Sequence, residues 1–218
     1  MSRVDVIVPC YNYGRFLRDC VESVLSQPVE VRVLIIDDES TDDTPEVAAA
    51  LAAEDARVEF RRHAVNRGHI ATYNEGLEWI SGNYTLLISA DDLLVPGALL
   101  RACRLMDAHP ELGFVYGRII RWQTADPRPV QNTLAEEFTY RIIPGLEWIE
   151  SVCKEGRPPT TSPEVLVRTE LQQQLGGYRP ELPHWADVDL LMRFATLAPV
   201  GYIDADQAYY RLHPTNMH

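Results

Sequence analysis

The chain has 218 residues, and its 46% hydrophobic and 24% charged content fits one globular domain and excludes a disordered, collagen-like or disulfide-stapled chain. Lysines and arginines number 20 against 32 aspartates and glutamates, a net charge of −12, which argues against nucleic acid as a partner. An anionic substrate would have to be met by a local cation or a bound metal.

The four cysteines, Cys10, Cys20, Cys103 and Cys153, have no metal-binding spacing and read as reduced core thiols. The first apolar run ends at Pro9 and Asn12, too early for a signal peptide, and no run of about 18 apolar residues follows. The expected location is the cytoplasm. Peripheral attachment to the inner face of a membrane, through a partner or a further segment, is compatible with this.

Val4 to Pro9 is a β-branched run that reads as a strand buried on both faces of a parallel sheet. Phe16, Leu17, Cys20, Val21, Val24 and Leu25 follow at helical spacing, and Pro28 ends the pattern. Val31 to Ile36 repeats the strand, an acidic loop follows, and Thr44-Pro45 opens a second helix. Val58 to Phe60 is a weak third strand, Asn66-Arg67-Gly68 a turn, and Ile70 to Ile80 a helix. Tyr84 to Ser89 is the next strand, running into Ala90-Asp91-Asp92, and Pro96 starts a helix that reaches His109. This alternation predicts a doubly wound, mostly parallel α/β sheet flanked by helices.

The second half is less regular. Strands are expected at 113–116 and 119–122, a surface loop at 123–137, a helix at 145–154 and a short strand at 164–167. A short helix over 169–175 closes at Gly176-Gly177, a longer one covers 186–197, and a strand covers 200–210. Residues 1–110 and 111–218 read as two halves of one domain.

In an open parallel sheet, ligands bind beyond the carboxyl ends of the strands. Here those ends carry Pro9, Tyr11 and Asn12, then Asp37 and Asp38, then Asp91 and Asp92. Each alone is explained as a turn or cap residue, but together they converge on one rim. No GxGxxG, GxxxxGK[ST] or GxSxG occurs. The rim instead offers a ring to stack on a base in Tyr11, an acceptor for a base or ribose in Asp38, and a carboxylate pair for a hard cation in Asp91-Asp92. A diphosphate approaching these carboxylates needs Mg²⁺ or Mn²⁺ between.

Val6-Ile7-Val8-Pro9-Cys10-Tyr11-Asn12, Ile35-Ile36-Asp37-Asp38-Glu39-Ser40, Asn66-Arg67-Gly68, Asn74-Glu75-Gly76 and Ser89-Ala90-Asp91-Asp92 resemble, in order, the motifs of family 2 glycosyltransferases. The likeness resumes at Gly176-Gly177-Tyr178 and at Trp185-Ala186-Asp187-Val188-Asp189. It implies a GT-A fold, a nucleotide-sugar donor, UDP-linked by expectation, a divalent metal (Mn²⁺ or Mg²⁺), and inverting transfer to an acceptor hydroxyl in glycoconjugate or polysaccharide biosynthesis. Residues 1–110 would be the nucleotide-sugar-binding half and 111–218 the acceptor-side half, with room for a C-terminal segment beyond His218.

Carried across by position, the resemblance implies that Pro9, Tyr11 and Asp38 hold base and ribose. Arg67 would lie near the base or diphosphate, Asp91 would face the ribose or sugar, and Asp92 would bind metal. Ser89 stands where many members have an outer aspartate. Asp187 falls on the position of the general base, with Ala186 in place of the usual glutamate, although alone it would read as a first-turn acid favoured by the helix dipole. Trp185 could stack on an acceptor-side sugar. His213, in a Tyr-Arg-x-His context, is a candidate for metal or diphosphate, and Arg211 for the phosphates. The rivals are a catalytically silent nucleotide-sugar-binding or scaffolding module and a nucleotidyltransferase, for which the glycine-rich, lysine-bearing loop is missing.

Overall fold

The computed structural model of the protein describes residues 2–124, 126, 138–214 and 216. Strand β1 (Arg3–Cys10) lies at the centre of a four-stranded parallel block with β2 (Glu30–Asp37), β3 (Val58–Arg62) and β4 (Tyr84–Leu87), in the order β3-β2-β1-β4. The unbroken apolar runs of β1 and β2 are explained by cover on both faces. Val4, Val6 and Val8 pack with α1 (Gly14–Leu25) and α2 (Thr44–Glu54) on one side. Ile7, Leu34 and Ile36 pack against Leu77, Trp79 and Ile80 of α3 (His69–Trp79) and its end on the other.

The family-like triplet Asn74-Glu75-Gly76 has a separate structural use at each position. Asn74 brackets Tyr178, accepting its N–H at 2.7 Å and donating to its carbonyl at 2.9 Å. Glu75 turns toward His63 and Arg67. Gly76 lets α3 settle on β1, where a Cβ would lie 2.5 Å from Ile7 Cγ2.

Beyond β4 the sheet becomes mixed. It continues through β8 (Leu166–Arg168), β6 (Phe114–Gln123), β9 (Val200–Leu212) and β5 (Leu93–Leu94), with β7 (Tyr140–Ile143) also on β9. β8 is antiparallel to both neighbours, β6 and β9 are parallel, and β5 and β7 are antiparallel to β9. Helices α4 (Ala98–Ala108), α5 (Gly145–Glu155), α6 (Thr169–Leu175) and α7 (Ala186–Leu197) cover this half. Its own core gathers Phe114, Trp148, Leu190 and Phe194.

Two expectations change. The strands read at 113–116 and 119–122 are one strand, irregular in register around Gly117 and Arg118, because Gly117 lies so close to β9 that a Cβ would meet the carbonyls of Ala205 and Ile203 at 2.8 Å. The loop read at 123–137 lies mostly outside the described residues. Cys10, Cys20 and Cys103 are buried as expected, but Cys153 is exposed, on the outer face of α5. Among the described residues no helix is long and apolar enough to cross a membrane.

Candidate functional site

The carboxyl ends of β1, β2 and β3 are laced together by short polar contacts. Asn12 adopts a left-handed φ of 58°, which asparagine tolerates better than most residues; its N–H donates to Ser40 Oγ at 2.8 Å and its Oδ1 accepts from Thr41 N–H at 2.8 Å. The loops after β1 and β2 are thereby fixed to each other. Between them and α3 lies a cavity of about 530 Å³ whose lining includes Pro9, Tyr11, Asp38, Gly68, Tyr73 and Ser89. Tyr11 is exposed at its mouth, with Pro9 and Asp38 buried beneath.

Asp38 is held by a set of donors. Its Oδ1 accepts from Arg67 N–H at 2.7 Å and lies 2.6 Å from His63 Nδ1, and its Oδ2 accepts from Gly68 N–H at 2.9 Å. Burial opposes its charge, yet these donors outweigh burial and keep the carboxyl below its ordinary value. Gly68 makes its contact at a φ of 80°, open to glycine at little cost. The buried ring of His63 continues to Glu75, with Nε2 3.0 Å from Oε2.

The side chain of Arg67 turns toward Glu75. Its guanidinium donates to Glu75 at 2.5 Å and lines a separate cleft with Arg61 and Pro180. What Arg67 gives the Tyr11 cavity is its backbone N–H, since the Glu75 carboxylate draws the side chain away.

The second cluster forms where β9 meets the end of β4. Asp91 and Asp92 are both buried. Arg211 N–H donates to Asp92 Oδ1 at 2.9 Å, and Arg211 Nε donates to the Asp91 carbonyl at 2.7 Å. His213 Nε2 lies 3.0 Å from Asp91 Oδ2, to which Asn216 Nδ2 also donates at 3.2 Å. His213 therefore joins Asp91 directly. The Arg211 guanidinium is packed between the rings of Phe16 and Trp122, 4.5 and 4.6 Å from their centroids. It is enclosed there as a clamp on the acidic turn.

The acidic pair has the chemistry of a cation site. Asp91 Oδ1 is buried without a hydrogen-bond partner. Burial first, and the charge of Asp91 second, push the Asp92 carboxyl well above its ordinary value. Two hard oxygen donors whose proximity is unfavourable without a counter-charge suit a divalent ion. Among the described residues no three histidine, cysteine or acidic side chains are gathered into a ready metal sphere, so further ligands would come from substrate and water.

Asp187 and Asp189 separate as their spacing on a helix requires. Asp189 pairs with Arg193 at 2.9 Å and Arg179 at 3.1 Å, which ties α7 to the loop before it. Asp187 is exposed, in the first turn, and lines a small cleft with Leu87, Thr161 and Tyr178. Tyr73 lines the Tyr11–Asp38 cavity and meets the ring of Tyr178, which lines the cleft of Asp187; burial, then the charges of Asp187 and Asp91, raise its hydroxyl to about 12. Trp185 is exposed at the entry to α7.

The profile of glycosyl transferase family 2 matches residues 5–155. The chain belongs to this family. It is 28% identical over 214 residues to an uncharacterized protein of Mycobacterium tuberculosis, MT1568, covering 92% of this chain and 64% of that one. It is 26% identical over 221 residues to an uncharacterized glycosyltransferase of Nostoc, alr2836, covering 99% and 66%. The chain thus spans just under two thirds of the length of these relatives. Among solved structures, Staphylococcus aureus TarS 1–349 in complex with UDP-GlcNAc superposes with a TM-score of 0.76 at 21% identity, over 98% of this chain and 60% of that one. The mannosyltransferase PcManGT of Pyrobaculum calidifontis, in complex with GDP-Man and Mn²⁺, gives 0.72 at 18% identity, over 99% and 58%. The fold is that of the GT-A glycosyltransferases.

Proposed function

We propose that this chain transfers a hexosyl or N-acetylhexosaminyl group from a UDP-linked sugar to an acceptor hydroxyl, with inversion at the anomeric carbon. The observation that supports the reading is Tyr73, which lines the Tyr11–Asp38 cavity and packs on Tyr178 beside the cleft of Asp187, and whose hydroxyl is raised by burial first and then by the charges of Asp187 and Asp91. The nucleotide-sugar complexes of the two structural neighbours support a nucleotide-sugar donor, and the Mn²⁺ of one supports a divalent ion.

In this reading Tyr11 stacks on the base, Asp38 accepts from base or ribose beside Pro9, and the loop of Arg67 and Gly68 sets the Asp38 carboxylate. Asp92 with Asp91, and His213 through Asp91, would hold Mn²⁺ or Mg²⁺, which when bound neutralises the diphosphate leaving group. Asp187 takes the proton from the acceptor hydroxyl as its oxygen bonds to the anomeric carbon. The bond from that carbon to the diphosphate oxygen breaks, and the nucleoside diphosphate leaves on the opposite face. Trp185 stacks against the incoming sugar.

The test is turnover of a UDP-hexose panel followed by NMR of the product. Release of UDP with an anomer opposite to that of the donor supports the reading. Donor binding without hydrolysis or transfer, over a broad acceptor panel, points instead to a silent binding module.

A further inference from the structure

The chain uses arginine almost to the exclusion of lysine, 19 against one, and many of these arginines are tied down. Arg32 is held by Asp5, Arg118 by Asp204 and Asp206, and Arg193 by Asp189. Three are not. Among the described residues Arg121, Arg141 and Arg157 have no carboxylate within ion-pair distance and donate no hydrogen bond, and all three line one cavity of about 540 Å³. Arg121 stacks on Tyr210, at 5.4 Å, and its charge acts on the buried Glu164; Arg141 stacks on Tyr202, at 4.8 Å.

The fold brings them together from distant positions. Arg121 is on β6 and Arg141 on β7, the two strands that flank β9, and Arg157 follows the left-handed Gly156 that ends α5. Three guanidinium groups, unpaired among the described residues, repel each other around one hollow in a chain of net charge −12, where carboxylates to pair them are plentiful. Glu147 and Glu155 line the α5 wall and pair with none of the three. Glu164, the buried carboxyl on the floor, is occupied by Thr161, accepting from its N–H and its hydroxyl. The positive side of the hollow is left for a ligand.

The hollow opens onto the transfer edge. Thr161 lines both this cavity and the small cleft of Asp187, and Tyr210, beneath Arg121, feels the charges of Asp92 and Asp91. We propose that this cavity binds an anionic group of the acceptor, a phosphate or a carboxylate, through Arg121, Arg141 and Arg157, so that the acceptor is a negatively charged molecule whose hydroxyl reaches Asp187. The forked guanidinium suits both anions, which it can meet through paired donors. The acceptor role rests on the glycosyltransferase reading; the anion site does not.

The test is NMR titration of the full chain with methyl phosphate, methyl glucuronide and methyl glucoside, repeated for Arg121→Gln/Arg141→Gln and for Arg157→Gln. Binding of UDP-GlcNAc with Mn²⁺ controls for the fold. Wild type should bind one or both anionic probes, with shifts confined to residues 116–164, and not the neutral one. The double variant should lose at least roughly tenfold in affinity, as expected when charge-assisted contacts are removed. Phosphate and carboxylate arms separate the two acceptor chemistries. Equal binding of the neutral probe, or anion affinity unchanged in the variants, overturns the proposal. Anion binding in a chain that binds no donor keeps the site and fails the transferase reading. Transfer to neutral acceptors at the same kcat/KM in wild type and double variant, with no gain from an anionic group, removes the acceptor role.

Discussion

His213 Nε2 lies 3.0 Å from Asp91 Oδ2 across a sequence separation of 122 residues. The same strand end delivers the Arg211 N–H to Asp92, so the last strand of the described fold closes the acidic turn that follows β4. The end of β9 thus covers and holds the buried pair, through Arg211 on Asp92 and His213 on Asp91.

Replacing His213 should therefore loosen Asp91 more than it alters the fold. In His213→Ala, we expect Mn²⁺ to stabilise the UDP complex less than in wild type, with the unliganded melting temperature within a few degrees, as follows for a change of about 1 kcal/mol in a domain of this size. Equal Mn²⁺-dependent shifts in variant and wild type would show that His213 has no part in the ion site.

Asp38 should govern donor affinity. Removing a charged acceptor from a buried polar contact costs roughly 1.5–3 kcal/mol, about ten- to a hundredfold. Asp38→Ala should weaken UDP-sugar binding in calorimetry by that factor and leave the acceptor KM unchanged. His63→Ala should weaken it less, because His63 positions the Asp38 carboxylate without lining the cavity.

Stability should fall in acid through Asp5 and Asp38. Burial disfavours the charge of Asp5, but Arg32 and the N–H groups of Ser81 and Gly82 outweigh it, and like Asp38 it is held below the ordinary 3.8. A depressed folded value makes the unfolded chain take up protons first as pH drops. The stabilisation is complete above the unfolded value and is lost as pH falls from there through the folded values. The contribution of Asp5 and Asp38 to the urea midpoint should decline below about pH 4–5, while Asp92, whose carboxyl is raised, contributes with the opposite sign. Asp5→Asn should flatten that decline and cost roughly 2–4 kcal/mol at pH 7, since it leaves Arg32 and two N–H groups poorly matched. A gap between the midpoints of wild type and Asp5→Asn that widened as pH fell from 5 to 3 would contradict the assignment.

The parallel block was legible because β1 and β2 are covered on both faces, so burial writes an unbroken apolar run that needs no partner to interpret. The rim of Tyr11, Asp38 and Asp91-Asp92 followed from where those runs end. β7 was not legible: Tyr140, Arg141 and Ile142 are exposed, so no alternation marks them, and β9 alone makes them a strand. β5, two residues long, has no period to read. His63 was missed although it follows β3 at the same rim, where a strand-end inspection extended to the weak third strand would have found it. The partner of the Arg67 side chain, Glu75 on the next helix, is a tertiary fact that no motif states. Arg121, Arg141 and Arg157 carry no common motif and meet only through the mixed half of the sheet.

Asp187 and Asp189 offer a contrast within one helical turn. Positioned proton transfer contributes about 10²- to 10⁴-fold, so Asp187→Asn should lower kcat by that order with UDP-sugar affinity unchanged. Asp189→Asn should instead lower the melting temperature, because Arg193 and Arg179 lose their carboxylate. Full turnover in Asp187→Asn, with loss in a folded Asp189→Asn, would move the base to Asp189.

The most direct measurement is calorimetric titration of UDP-GlcNAc into wild type and Asp92→Ala, each with Mn²⁺ and with chelator. We expect saturable binding to wild type with Mn²⁺, a loss of at least roughly tenfold in chelator, and no Mn²⁺ dependence in a folded Asp92→Ala. Binding to wild type that is equally tight in chelator, or unaltered in Asp92→Ala, would contradict a nucleotide-sugar site built on a cation at Asp91-Asp92.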